Sequence, residues 1–121
     1  LKEGDAIWYS PDQDFGLKQG IMAPFFGVEA ATVTAHRRLL KISKAVAIPL
    51  YFYRHGDIKN PPYHVFIEPA VDPLPSEDEL ADAIRVNKII ENQLRIAPTQ
   101  YMWFHRRFKT RPEGYEKIYH D

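Results

Sequence analysis

The order of its segments predicts that this chain adopts an α/β fold, with a mixed sheet and flanking helices. Short apolar runs of strand length alternate with two longer runs in which apolar residues recur at helical spacing. The 121 residues suffice for one domain with a single core, and 45% of them are hydrophobic. Sixteen Lys and Arg balance sixteen Asp and Glu, so the overall charge does not favour a nucleic-acid partner.

The first half of the chain predicts a strand, a second short apolar segment and a helix. Residues 5–10 contain an apolar run that Pro11 stops, which is typical of a buried strand. A second apolar segment, Met22–Phe26, ends at a glycine. Residues 30–45 then show helical periodicity, and the cations Arg37, Lys41 and Lys44 are expected to form a solvated face of this helix.

The second half predicts a β-hairpin followed by a long helix. Apolar residues in 46–53 and 63–68 suit two strands, and the polar segment between them suits an antiparallel connection. Ser76 and Glu79 form an S-x-x-E capping box, which predicts a helix over 77–96. A basic aromatic tail over 100–121 follows.

The chain starts at Leu1 rather than Met, and its first predicted strand has the composition of an interior strand. We therefore expect residues 1–121 to be the C-terminal part of a single domain whose N-terminal half is missing. No apolar stretch approaches the ~20 residues that cross a bilayer. The lack of cysteine excludes disulfides and thiolate metal sites.

Two carboxylates, Asp12 and Asp14, lie two positions apart in the segment PDQDFG. An extended backbone would point both to one side, where they could bind a cation, orient a substrate group or raise one pKa by repulsion. The alternative is an Asx-type turn, in which a carboxylate accepts hydrogen bonds from neighbouring backbone N–H groups. The spacing leaves both interpretations open.

The tail contains a basic cluster directly after four apolar or aromatic residues, 101–104. Arginines beside Trp and Tyr suit lipid phosphates at a membrane surface, and the same residue types suit RNA. A third interpretation is a terminal strand with core aromatics and solvated cations. Elsewhere, Phe25 and Phe26 are candidates for an acyl pocket, although core packing is the alternative.

Signatures of several enzyme classes are absent from the sequence. None of the five histidines is followed five positions later by Asp or Glu, and none pairs with a second histidine at metal-binding helical spacing. The chain contains neither a G-x-S-x-G elbow nor a glycine-rich phosphate loop. The sequence therefore predicts no metal site, no nucleotide site and no stand-alone hydrolase.

Three segments resemble the late acyltransferases of bacterial lipid A biosynthesis, of the lauroyl or myristoyl type. They are WYSPDQDFG at 8–16, PFFGVEAATVT at 24–34 and QYMWFHRRFKTRPEG at 100–114. The resemblance implies that this chain is the C-terminal half of a glycerolphosphate-acyltransferase-like domain. It also implies an enzyme at the cytoplasmic face of the bacterial inner membrane.

Such an enzyme moves a fatty acyl chain from acyl carrier protein to a hydroxyl of a Kdo-bearing lipid A precursor. It needs no cofactor beyond the acyl thioester, and its partners are these substrates and the membrane surface rather than nucleic acid. Its base is a histidine followed after four residues by Asp or Glu. Because the chain lacks that pattern, the fragment alone is expected to be inactive. The alternative function is a non-catalytic module that binds anionic lipid or RNA.

The matching motifs also imply which residues of this chain belong to the site. The resemblance implies that Asp12 is the functionally important aspartate, with Asp14 as the second catalytic candidate. It also implies that the cations of the closing motif bind acceptor phosphates or anionic headgroups. These cations are Arg106, Arg107, Lys109 and Arg111.

Overall fold

A computed structural model describes residues 3–56, 59 and 62–120. Within these residues the chain forms an α/β structure with two helices and two separate antiparallel sheets of two strands each. The α/β class is confirmed, whereas the described residues contain no mixed sheet. The elements are β1 (Gly20–Phe25), β2 (Val28–Val33), α1 (Ala35–Ser43), β3 (Leu50–Arg54), β4 (Tyr63–Ile67) and α2 (Glu79–Leu94).

β1 and β2 form a tight hairpin. The two residues between them, Phe26 and Gly27, have φ angles of 49° and 77°, as a type I′ turn requires. At the other end, a Cβ on Gly20 would lie 2.1 Å from the carbonyl oxygen of Thr32. Only glycine permits this close pairing of the two strands.

The predicted helix over 30–45 is therefore wrong in its first part, because residues up to Val33 belong to β2. α1 begins at Ala35 and ends at Ser43. Of its predicted solvated cations, Lys41 is exposed, but Arg37 forms a 3.0 Å ion pair with the buried Asp82 of α2. This ion pair ties the two helices together.

The strand predicted over 5–10 is not formed, because no strand in the described part of the chain pairs with this segment. Ile7 and Trp8 are 57% and 66% exposed, so the apolar run is not buried either. A strand needs hydrogen-bond partners for its backbone, and an apolar sequence alone does not supply them. Asp12 consequently does not follow a strand.

β3 and β4 confirm the predicted antiparallel hairpin, with Arg54 opposite Tyr63 and Leu50 opposite Ile67. The first strand starts at Leu50, directly after Pro49, which lacks an N–H for pairing. An isolated bridge between Ala47 and Val71 extends the pairing beyond the named strands. One face of this sheet carries exposed apolar side chains, namely Leu50, Phe52, Val65 and Ile67.

α2 packs against the β1–β2 hairpin and is the main element that packs on it in the core. The predicted capping box is wrong, since the N-cap is Asp78, whose carboxylate accepts a 2.9 Å bond from the N–H of Ala81. Ser76 instead donates its hydroxyl to Asp82 at 2.7 Å. In the described part of the chain, no helix combines the length and the apolar character needed to cross a bilayer.

Three of the five buried residues of α2 are polar or charged. Asp82, Asn87 and Glu91 are all buried, and each contacts a different segment. Asp82 pairs with α1, Asn87 donates to the carbonyl of Pro24 at 3.0 Å, and Glu91 accepts a 2.7 Å bond from the N–H of Phe26. The apolar core around them is small: Ala23, Phe25, Ala30, Ala31, Val33, Leu40, Ala83 and Val86.

Candidate functional site

The structure brings together the two segments that the sequence singled out. The hydroxyl of Tyr101 donates a 3.0 Å hydrogen bond to the carbonyl of Asp12. The backbone N–H and the hydroxyl of Thr110 both donate to the carboxylate of Asp14, each at 2.8 Å. The loop that contains the two aspartates therefore lies directly on the tail.

Asp14 forms an Asx-type turn. Its carboxylate also accepts a 2.9 Å bond from the N–H of Gly16, two residues later, and the side chain is 3% exposed. Gly16 has a φ of 75°, which glycine adopts without strain. With three donors on its two oxygens, Asp14 holds the loop in place, and little of its carboxylate is accessible to a substrate.

Asp12 has a different environment. It is partly exposed, and its carboxylate lies close enough to Tyr101 and Arg107 for electrostatic interaction. Burial, followed by the negative charge of Asp12, raises the pKa of the Tyr101 phenol well above its ordinary value, and Arg107 opposes this shift. The shift favours the protonated phenol, which is the form that donates to the carbonyl of Asp12.

Arg107 is not the exposed cation that the tail was expected to present, since it is 1% exposed. Its guanidinium donates to three neutral oxygens: the carbonyl of Ala31 at 2.7 Å, Thr32 Oγ1 at 3.1 Å and Asn87 Oδ1 at 3.2 Å. It also lies 5.0 Å from the centre of the Phe25 ring. Burial lowers the pKa of this guanidinium, and Tyr101, Asp14 and Asp12 oppose that effect.

The other three cations of the closing motif also differ from one another in how far they are buried. Arg111 is half-buried and donates to the carbonyl of Glu29 at 2.7 Å, so it also ties the tail to the hairpin. Arg106 and Lys109 are exposed, and Arg106 lies 5.9 Å from the ring of Tyr119. Of the four cations, these two are the exposed ones.

The interpretation of the tail as a strand with core aromatics and solvated cations is also wrong. Trp103 and Phe104 are 42% and 75% exposed, whereas Arg107 is buried. These aromatics lie in or beside a short 3-10 turn, Trp103–His105, and not in a strand. The side chains of Trp103 and Phe104 are thus available at the surface.

The two phenylalanines proposed for an acyl pocket do not form one. Phe25 is fully buried, and its ring centre lies 5.9 Å from that of Phe108, so core packing is the correct interpretation for it. Phe26 lies in the hairpin turn and is 36% exposed, with the guanidinium of Arg95 5.1 Å from its ring centre.

Three residues that organise this region were not singled out from the sequence: Tyr101, Thr110 and Asn87. The amide of Asn87 donates to Thr32 Oγ1 at 2.9 Å and accepts from Arg107, so it bridges β2 and the tail. An asparagine on the apolar stripe of a predicted helix was the available signal. Tyr101 and Thr110 lie within the closing motif at 100–114, but the sequence did not indicate their contacts with the aspartate loop.

A cleft of about 520 Å³ lies between the β3–β4 hairpin and α2, but none of the predicted site residues lines it. Its lining includes Tyr51, Glu68 and Arg85. Within the described residues, no group of three or more His, Asp or Glu side chains is arranged to hold a metal ion.

Comparison with known proteins gives the family of the chain. Residues 1–110 match the family model described as bacterial lipid A biosynthesis acyltransferase. The chain is similar to two Escherichia coli K12 proteins over 98% of its length: lipid A biosynthesis palmitoleoyltransferase at 42% identity and lipid A biosynthesis lauroyltransferase at 41%. It is also 32% identical to the E. coli K12 lipid A biosynthesis myristoyltransferase over 94% of its length.

The chain covers 38%, 39% and 35% of these three relatives, respectively, and so spans less than two-fifths of each. The match includes both segments of the site, the aspartate loop and the tail as far as Thr110. This chain belongs to the bacterial lipid A biosynthesis acyltransferase family.

Proposed function

We propose that the chain is part of an acyltransferase that moves a fatty acyl group from acyl carrier protein to a hydroxyl of a Kdo-bearing lipid A precursor. Its membership of the family supports acyl transfer in lipid A biosynthesis. We place the intact enzyme at the cytoplasmic face of the bacterial inner membrane, with a glycerolphosphate-acyltransferase-like fold. The donor is the thioester itself, and no further cofactor takes part.

The proposed reaction needs a base and an oriented acceptor. The acceptor oxygen attacks the thioester carbonyl, an ester C–O bond forms, the C–S bond breaks, and the acceptor proton passes through the base to the leaving thiolate. We assign the base to the His-x4-Asp/Glu element of the family. These 121 residues do not contain that pattern, so we expect the chain by itself to transfer no acyl group.

The observation that supports Asp12 as a site residue is the contrast between the two aspartates. Asp14 is buried and bonded to three donors, whereas Asp12 is partly exposed beside Tyr101 and Arg107. Of the two, only Asp12 has a carboxylate that a substrate or a catalytic histidine can approach. We propose that it orients one of these groups during transfer.

We further propose that Arg106 and Lys109 contact phosphates of the acceptor or of anionic lipids. Both are exposed, and so are Trp103 and Phe104 of the same tail. Each cation near an anionic membrane surface contributes about 1 kcal/mol, and aromatic side chains are enriched at such boundaries. We exclude Arg107 and Arg111 from this phosphate contact, because their guanidinium groups donate hydrogen bonds to carbonyl groups of the hairpin.

The experiment that tests the function compares two Asp→Asn variants in the full-length protein. Asp12→Asn should lower kcat about 100-fold while the melting temperature hardly changes, because a partly exposed carboxylate is lost without a packing change. Asp14→Asn is the matched comparison. It should reduce the free energy of unfolding by about 1–3 kcal/mol, since a buried acceptor of three hydrogen bonds loses its charge.

Transfer is measured with acyl carrier protein thioester as donor and a Kdo-bearing lipid A precursor as acceptor. Near-normal turnover of the Asp12→Asn enzyme would remove Asp12 from the site. Absence of transfer by the unmodified full-length protein, with all acceptors of this class, would remove the proposed reaction.

A further inference from the structure

We propose that Tyr101 is a positioning residue for Asp12, holding the loop so that the Asp12 carboxylate faces the reacting groups. This inference rests on the proposed function, because it assumes that Asp12 takes part in acyl transfer. Tyr101 acts through Asp12 and not on the substrate. Its hydroxyl bonds to the backbone carbonyl of Asp12, 89 residues away in sequence.

Among the described residues, the loop that carries Asp12 does not belong to any strand or helix. Residues 11–16 lie outside all regular elements, and the segment before them is exposed. The loop is instead held from the tail at two points, by Tyr101 on Asp12 and by Thr110 on Asp14. Removing the bond at Asp12 would free the carboxylate end of the loop while the Asp14 turn persists.

The tail can position a loop because the tail is itself anchored. The amide of Gln100 donates to the carbonyl of Arg54 at 2.9 Å and accepts from its N–H at 2.8 Å. Further along, Arg107 is bonded to Ala31, Thr32 and Asn87. Tyr101 lies between these two anchors, so the position of its hydroxyl is fixed relative to both sheets and to α2.

The surroundings of Tyr101 also restrict its side chain, so its hydroxyl can donate from a fixed position. Its ring packs edge-to-face on Trp103 with the centres 4.8 Å apart, which restricts rotation of the side chain. Misplacing a reacting group by about 1 Å can cost about 100-fold in rate, so an anchored hydrogen bond outside the reacting groups can matter for turnover.

A double-mutant cycle in the full-length protein tests this inference. Tyr101→Phe removes only the hydroxyl and should lower kcat about tenfold, with KM and the melting temperature little changed. In the Asp12→Asn background, the same change should cause no further loss of kcat, because the carboxylate that Tyr101 positions is already absent. If Tyr101 acted only on stability, Tyr101→Phe would lower kcat by the same factor in both backgrounds.

Two further variants control the experiment. Tyr63→Phe removes a phenol that is 60% exposed on the β3–β4 sheet, and it should leave kcat unchanged. Thr110→Val removes the hydroxyl bond to Asp14 at the other end of the loop. It should lower kcat less than Tyr101→Phe does, because the N–H of Thr110 still donates to Asp14 and Tyr101 still donates to the carbonyl of Asp12.

The outcomes separate the two proposals. Unchanged kcat in Tyr101→Phe, or an equal loss in both backgrounds, would overturn the positioning role and leave the acyltransferase proposal standing. Near-normal turnover in Asp12→Asn would remove Asp12 from the site and the positioning role of Tyr101 with it, whereas absence of transfer by the unmodified protein would count against the proposed function.

Discussion

Arg107 and Arg106 are adjacent residues of the same type in different environments. Arg107 is 1% exposed and bonded to three neutral oxygens, whereas Arg106 is exposed in the left-handed region at a φ of 53°. Burying a guanidinium is costly unless its donors are satisfied, and these acceptors belong to β2 and α2. The sequence shows two arginines but not which of them finds such acceptors.

The structural role of Arg107 predicts a loss of stability when it is replaced. Arg107→Met keeps an unbranched side chain but leaves the carbonyl of Ala31 and the amide oxygen of Asn87 without this donor. We expect unfolding to become easier by about 2–4 kcal/mol, since each buried unsatisfied group costs about 1–3 kcal/mol. Denaturant unfolding of the two proteins measures the difference.

Lys109→Met is the matched control for that substitution, because Lys109 is an exposed cation of the same tail. Its effect should stay within about 0.5 kcal/mol. If both variants lost the same stability, the buried hydrogen bonds of Arg107 would not be the cause.

Among the elements, the β1–β2 hairpin shows where periodicity misleads. Residues from Val28 to Val33 belong to a strand, although 30–45 reads as a helix. Their pairing with β1 depends on a Phe26-Gly27 turn with two positive φ angles, and Phe26 is a residue type that seldom adopts one. In this conformation the N–H of Phe26 donates to Glu91, and the guanidinium of Arg95 lies over the Phe26 ring.

The start of α2 gives a prediction at the level of an element. Asp78→Ala removes the side chain that accepts from the N–H of Ala81, and it should cost about 1 kcal/mol of stability. Glu77→Ala is the control, because Glu77 is exposed and precedes the cap. Thermal unfolding monitored by circular dichroism compares them. Equal losses would mean that charge near the helix start, and not the cap, is what stabilises α2.

For the molecule as a whole, apolar residues are poorly buried. Among the described residues, the core contains eight apolar residues, four of them alanine, while large side chains such as Trp8, Phe52, Ile67 and Phe104 are more than half exposed. Contiguous exposed apolar surface marks faces that contact other protein or lipid. Sequence patterns indicate that a residue is apolar, but they do not indicate what covers it.

Global stability should depend on pH through His36. This histidine is 7% exposed, and neither ring nitrogen has a hydrogen-bond partner among the described residues. Burial lowers its pKa below the ordinary 6.5, although the charge of Asp82 opposes the shift. The unfolded chain therefore binds the proton more readily, so the contribution of His36 is present above pH 6.5 and is lost as the pH falls through the lowered pKa.

We expect the melting temperature to fall between pH 7.5 and pH 5, and we expect His36→Phe to flatten that dependence. His120→Gln, a change at an exposed histidine, is the control and should keep the original slope. An unchanged slope in His36→Phe would show that other groups cause the loss of stability in acid.

The sequence by itself determined the α/β class, the β3–β4 hairpin and the resemblance of its motifs to the family. These depend on local pattern and residue order, which a sequence records directly. Only the tertiary structure decided that Asp14 is a buried turn residue, that Asp12 stays accessible, and that Arg107 is an internal anchor. Each of those outcomes depends on a partner 20 to 96 residues away, such as Asn87 for Arg107 or Thr110 for Asp14, and no local pattern specifies which distant groups will meet.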